Sequence, residues 1–350
     1  MSAVDNVIQF CHSIPKIELH AHLNGSLSRS TMLQLQRYHA DAGISDKTNA
    51  FFDEFQIGAG DTRNLSDCFQ VFNIAHALTS TPETLDLATT LTIKEFQDDG
   101  CCYIELRSTP RDTAHMSKRQ YVETIVQAMR KSSLQDIIAT LIISINRSNS
   151  ASEAEEIANI AIEYQKKCPD IVVGIELSGN PGVGSFVDFE NALTRARNAG
   201  LKVALHCGEI SNPEEILQML QFKPDRIGHG ICIHPKFGGT EDTWNLLCES
   251  GIPVEVCLTS NVNTKSVPDY SSHHFQYLQD ANVPVIICTD DKGVFATSLT
   301  QEYSICLDTF KLNKSELARL ALNASKYIFA SDKEQFVKDK VHNFIQKHNL

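Results

Sequence analysis

Residues 16–26 read KIELHAHLNGS. The stretch opens as an apolar run and ends on two histidines one residue apart. On a strand, residues i and i+2 point to the same face, so His20 and His22 project together near the strand's end. Seven more runs of strand character follow, at 101–110, 137–147, 171–180, 202–209, 226–230, 253–261 and 284–291. Most are continuously apolar, as strands buried on both faces are. Helical patterns separate them at 82–99, 117–131, 152–167, 186–199, 213–221, 241–250 and 273–280, and the tail from 298 to 348 reads as two or three more. The pattern at 82–99 is the best delimited: Thr81 can cap it, Pro82 suits its first position and Gly100 its exit. Strand then helix, eight times over, predicts parallel strands joined by right-handed crossovers. The expected fold is an α/β, (β/α)8 TIM barrel with a helical insertion after the first strand and extra C-terminal helices. The competing architecture, an open doubly wound sheet, calls for a GxGxxG turn after the first strand, which this chain lacks.

The whole chain, 1–350, is expected to form one domain. Residues 24–100 are too many for a simple crossover; helical patterns fall around 30–39, 64–78 and 82–99, with a flexible turn at GAGD, 58–61. Loops after barrel strands build the active face, so this insertion is expected to cover the site as a lid.

Hydrophobic content of 42% and charged content of 21% fit a globular protein with a large core. With 31 basic and 43 acidic residues the net charge is −12, and no basic patch or tail appears, which argues against a nucleic-acid polymer as partner. No basic, then apolar leader opens the chain, and no run approaches the roughly 18 apolar residues of a membrane helix. The 11 cysteines are scattered without paired CxxC motifs, which points to free thiols and a cytosolic location. A monomer is expected.

Chemistry-bearing residues collect where the runs end. The fifth run gives His206 and Glu209, the sixth His229, and the eighth Asp290 and Asp291. A barrel directs these ends at one point. With His20 and His22, three histidines and one carboxylate make a nitrogen/oxygen ligand set for zinc, with iron or cobalt as alternatives. Glu209, His229 and Asp291 remain for proton transfer and orientation. Four nearby groups invite a structural reading. Cys207 should point to the core and Arg107 into a salt bridge of the barrel wall. His273 and His274 should start a helix on the outer ring.

ELHAHLNGS, HCGE, IGHG, CLTSN and TDD, in this order, resemble the adenosine/AMP deaminase family from about residue 13 to 330. HAHLNGS, ELRSTPR, LSGNP, CLTSNV, HHF and CTDDKGVFATSLTQEY are similar to its adenosine deaminase-like branch. Typical adenosine deaminases carry a proline after the paired aspartates, where this chain has Lys292-Gly293. The resemblance implies one Zn²⁺ held by His20, His22, His206 and Asp290. Glu209 would donate a proton to the purine N1, His229 would orient or activate the attacking hydroxide, and Asp291 would hold it and contact the purine edge. The implied substrate is a small molecule, a purine nucleoside monophosphate such as N6-methyl-AMP, giving IMP and methylamine. The implied binding residues are His22, Asn24, His76, Ser108, Thr109, Pro110, Arg111 and Gly179. Arg111 would offer a charged fork to the phosphate, and Gly179 would let backbone approach the purine. Relatives often carry Asp-Arg after the third strand; here it is Asn146-Arg147, which keeps a binding contact and loses the charge. Deamination of free adenosine or AMP, or metal-dependent hydrolysis of another bond on the same barrel, are the alternatives.

Overall fold

In a computed structural model, residues 3–44, 55–58, 61–63, 69–132 and 136–350 are described. Part of the turn expected at 58–61 and the start of the helical pattern at 64–78 lie outside them.

Eight strands form one sheet in sequence order, β1 to β8, and every neighbouring pair is parallel. They are Lys16–His22, Cys101–Ser108, Ile138–Asn146, Val172–Ser178, Lys202–Cys207, Arg226–His229, Val254–Val256 and Val285–Ile287. The eighth returns to the first: Ala21 bridges Asp290 in parallel, His22 N donates to Asp290 O at 3.0 Å, and Asp290 N donates to His20 O at 2.8 Å. The cylinder therefore closes beside the paired histidines. The expected (β/α)8 barrel is the fold.

The strands are almost wholly buried. A continuous apolar run places aliphatic side chains against the helical ring on one face while the other face fills the barrel. The inner face is unusually ionic. Arg107 meets Glu176 at 2.6 Å and Glu255 at 2.5 Å, and Arg226 meets Glu105 at 2.5 Å and Glu255 at 2.6 Å, all with side chains fully buried. Arg107 thus takes the wall salt bridge expected of it. Cys207 is buried, as expected of a core residue.

Most helices fall where the sequence puts them, including Pro82–Asp98 with its Thr81 cap and Arg29–Asp41 capped by Ser28. The insertion helices Arg29–Asp41 and Phe72–Leu78 share a small core of Leu27, Met32, Leu35, Val71 and Leu78 with Val294 and Phe295 from the loop after β8. This packing lays the insertion over the strand C-terminal ends.

Two expectations need correction. The run at 253–261 is not one strand: β7 stops at Val256, and Leu258–Asn263 is a helix. Apolar continuity alone cannot separate a short buried strand from a buried helical turn. His273 and His274 do not lie on the outer ring. Both are buried, 0% and 1% exposed, directly behind His229. Among the described residues no helix is long and apolar enough to cross a membrane.

Candidate active site

The site is built from strand ends. His20 and His22 leave β1, His206 leaves β5, His229 ends β6 and Asp290 follows β8. Two of these residues hold the left-handed backbone conformation that side chains other than glycine's rarely adopt: His229 at φ 64° and Asp290 at φ 61°. Such backbone costs of order 1–3 kcal/mol per residue and persists where the surroundings enforce it. At Asp290 the enforcement is visible, because both of its backbone polar groups are bonded to β1.

His20, His22, His206 and Asp290 each offer one ligand atom, all within 4.8 Å of one another. His20 Nε2 lies 3.2 Å and His22 Nε2 3.3 Å from Asp290 Oδ1, and His22 Nε2 lies 3.1 Å from His206 Nε2. Donor atoms facing each other at these separations need a cation or a shared proton between them. The proton solution shows in the charges. Burial and the Arg107 charge depress the His20 imidazole, yet its contacts to Asp290 and Glu255 outweigh them and raise it to about 9. Burial works to raise the Asp290 carboxyl, and its close contact with the His20 imidazole, 3.2 Å away, overcomes it, holding the group below the ordinary carboxylate range. Burial lowers both His22 and His206, keeping them neutral and able to ligate. Buried His20 Nε2 has no hydrogen-bond partner. A divalent ion fits this donor set, satisfying the orphaned nitrogen and replacing the proton.

The groups behind the donors fix their orientation. His20 Nδ1 meets Glu255 Oε2 at 2.7 Å, which leaves Nε2 facing the cluster. Glu176 lies 3.8 Å from His22 Nδ1 and 3.6 Å from His206 Nδ1. Ser260 Oγ donates to Asp290 Oδ2 at 2.7 Å.

A cavity of about 370 Å³ opens over the cluster. It is lined by His22, Asn24, His76, Ser108, Thr109, Asn146, Gly179, His206, Glu209, His229, Asp290 and Asp291, all anticipated from sequence, and also by Phe72, Val294 and Phe295. His20 lies beneath, fully buried. Glu209 Oε1 is 3.7 Å from His229 Nε2. Burial, with the Asp290 charge adding to it, raises the Glu209 carboxyl to about 8. Burial pushes the Asp291 carboxyl well up, and the neighbouring Asp290 charge adds to this. Burial lowers His229 to about 3. At neutral pH the cavity therefore presents a protonated Glu209 beside a neutral His229. Gly179 has φ 98°, and a Cβ there would come within 2.6 Å of Asn146 Oδ1. Asn146 Oδ1 is itself occupied, accepting from Ser148 N and Oγ at 2.9 and 2.7 Å.

Pro110 and Arg111 are not part of the cavity lining. The Arg111 guanidinium donates to Thr79 Oγ1 at 2.6 Å, Thr79 O at 3.1 Å, His76 O at 3.2 Å and Tyr121 OH at 3.1 Å. It stands behind the wall and ties the loop after β2 to the insertion. The Tyr121 hydroxyl also bonds Ser108 at 2.7 Å and donates to Asn24 Oδ1 at 3.1 Å, and Asn24 Nδ2 donates to Thr79 Oγ1 at 2.9 Å. Sequence reasoning missed Thr79 and Tyr121, as well as Glu176, Glu255, Ser260 and Asn261. The glutamates carried a signal, each being an acid inside an apolar strand run. The others did not, since their roles depend on which loops meet.

The adenosine deaminase family model matches residues 15–344. An N6-methyl-AMP deaminase from Bos taurus is 42% identical over 344 residues, spanning 97% of this chain and 96% of that protein. Its Homo sapiens namesake is 42% identical over 346 residues, again spanning 97% and 96%. The crystal structure of arabidopsis ADAL complexed with IMP superposes with a TM-score of 0.87 at 37% identity, covering 97% of this chain and 99% of that one. Barrel, cavity and sequence agree: this chain belongs to the adenosine deaminase family of hydrolytic purine deaminases.

Proposed function

We propose that the protein is a zinc-dependent hydrolase that converts N6-methyl-AMP to IMP and methylamine. The observation that carries the reading is the convergence of His20, His22, His206 and Asp290 under a cavity that also holds a protonated Glu209. The relatives' names and the IMP complex support the substrate. When bound, the metal would act as a Lewis acid and lower the pKa of water to near neutrality.

The remaining chemistry belongs to the chain's own groups. Addition of hydroxide at C6 disrupts the ring's aromaticity and builds charge at N1. Glu209, held protonated by its burial, donates its proton to N1 as that charge develops. Asp291 Oδ1 is buried without a hydrogen-bond partner, which leaves it free to bond the purine edge or the incoming oxygen. His229 stands within reach of Glu209 and orients the attacking oxygen. Gly179 and Asn146 form one side of the cavity, where they would flank the base. The apolar groups Phe72, Val294 and Phe295 line the same space and can accept an alkyl substituent. Asn24, His76, Ser108 and Thr109 supply donors for the ribose and phosphate at the insertion side, with the Arg111 charge behind them.

A substrate panel tests the assignment. N6-methyl-AMP, AMP, N6-methyladenosine and adenosine are incubated with metal-replete protein, and loss of the 6-aminopurine absorbance is followed. The expected order puts N6-methyl-AMP first, with methylamine and IMP formed in equal amounts. Faster turnover of the free nucleosides would transfer the assignment to nucleoside deamination.

A further inference from the structure

The hydrogen bonds behind His229 determine where its proton sits. They begin at a group with no choice: the Phe275 backbone N–H can only donate, and it meets His273 Nδ1 at 3.1 Å. His273 Nδ1 is therefore the acceptor, and the proton of the neutral ring lies on Nε2. His273 Nε2 meets Asn261 Oδ1 at 3.2 Å. The opposite amide orientation would set the Asn261 NH₂ against the His273 N–H, two donors face to face, so the oxygen faces His273. Asn261 Nδ2 then donates to His229 Nδ1 at 3.0 Å. His229 Nδ1 accepts, and its ring proton must be on Nε2, the atom 3.7 Å from Glu209 Oε1 and 4.0 Å from Asp290 Oδ2. His274 adds a brace. Its Nε2 donates to the His229 carbonyl at 2.7 Å, and its ring stacks on His273 at 4.5 Å. His229, Asn261, His273 and His274 are each at most 3% exposed, so no solvent competes for these bonds.

We propose that Asn261 and His273 are positioning residues that lock His229 in the Nε2–H tautomer, so that it meets the reacting groups as a hydrogen-bond donor rather than as a base. A ring whose Nε2 already carries a proton has no lone pair there to accept another; an imidazolium could form only by protonation at Nδ1, which already accepts from Asn261 in a buried setting that disfavours a further charge. It can hold an oxygen nucleophile by donation, with its lone pairs directed by a fixed N–H. The role in turnover rests on the deaminase reading; the tautomer does not. The helical turn Leu258–Asn263, where a continuing strand would have been expected, is what brings Asn261 behind His229.

Long-range ¹H–¹⁵N spectra of the imidazoles, recorded on metal-free and zinc-loaded protein, read the tautomer directly, with the His229 signals assigned by their loss in H229Q. The expected result is a pyrrole-type Nε2 and a pyridine-type Nδ1. In the near-isosteric N261D, a carboxylate accepts from both histidines, so the His229 proton should move to Nδ1. Turnover should then drop about 10²-fold or more, with KM and bound zinc unchanged. H273Q keeps a donor where Nε2 stood and should stay within a few-fold of the parent, whereas H273F should fall as N261D does. If H273F does not fold, N261D carries the comparison. A parent His229 with an unprotonated Nε2, or N261D retaining both the parent tautomer and the parent kcat, overturns the proposal. A parent with the expected tautomer but no purine nucleotide deamination supports the lock and refutes the functional reading instead.

Discussion

At the scale of single residues, the site depends on carboxyls whose surroundings push them apart. Asp290 is held ionised by His20, while burial and the Asp290 charge push the Glu209 and Asp291 carboxyls up, Glu209 to about 8. Acids driven in opposite directions within a single cavity divide the labour between ligand and proton donor. Glu209→Gln keeps the shape and removes the transferable proton. Its kcat should fall by roughly 10²–10⁴, while zinc content measured on the same preparation stays at the parent level; full activity would remove Glu209 from its role. Asp291 depends on its neighbour. A Cβ on Gly25 would lie 1.6 Å from Asp291 Oδ1, and the Gly25 carbonyl accepts from Gly293 N and Val294 N at 2.9 and 3.1 Å. Gly25→Ala must displace the Asp291 carboxyl by well over an ångström, and a misplacement of even about 1 Å can cost around 10² in rate. Steady-state kinetics should show that loss in kcat without loss of metal.

At the scale of elements, the loops after the strands do more than the strands. The loop after β2 is fastened to the insertion by Arg111, whose guanidinium holds Thr79, the His76 carbonyl and Tyr121. Arg111→Ala should therefore damage turnover of a monophosphate far more than that of a nucleoside, both through the lost charge and through the loosened wall under Ser108 and Asn24. Kinetics with AMP and adenosine as a pair give the check, and an equal loss for both would remove Arg111 from phosphate binding. These elements also mark where reading the sequence stops. Thr81, Pro82 and Gly100 delimit their helix from local chemistry alone, and the structure agrees. The stretch 253–261 could not be read correctly, because burial on all sides makes a helical turn and a strand look alike. Arg111 was legible as a cation near the site, but its direction follows from contacts with a segment some thirty residues away in sequence.

At the scale of the whole molecule, the barrel turns scattered residues into one cluster. Eight buried runs separated by helical patterns suffice to infer the cylinder, and a cylinder requires that polar residues ending those runs meet at one rim. His20, His22, His206, Glu209, His229 and Asp290 were legible for that reason: each interrupts or ends an apolar segment. The support beneath them was harder to see. Glu176 and Glu255 stand out as acids inside apolar runs, but only the register sets them under the histidines and against Arg107 and Arg226. Removing one member of such a buried network leaves a charge unpaired, so the ionic floor that orients the ligands is costly to break. His273 and Asn261 were invisible as a pair, since nothing local says that they lie behind His229. The central claim is that four residues from three strand ends hold one metal ion. Zinc per chain, measured on purified parent protein and on His206→Ala, tests it most directly. The account predicts about one zinc per parent chain and little or none in the variant; equal zinc in both proteins would contradict it.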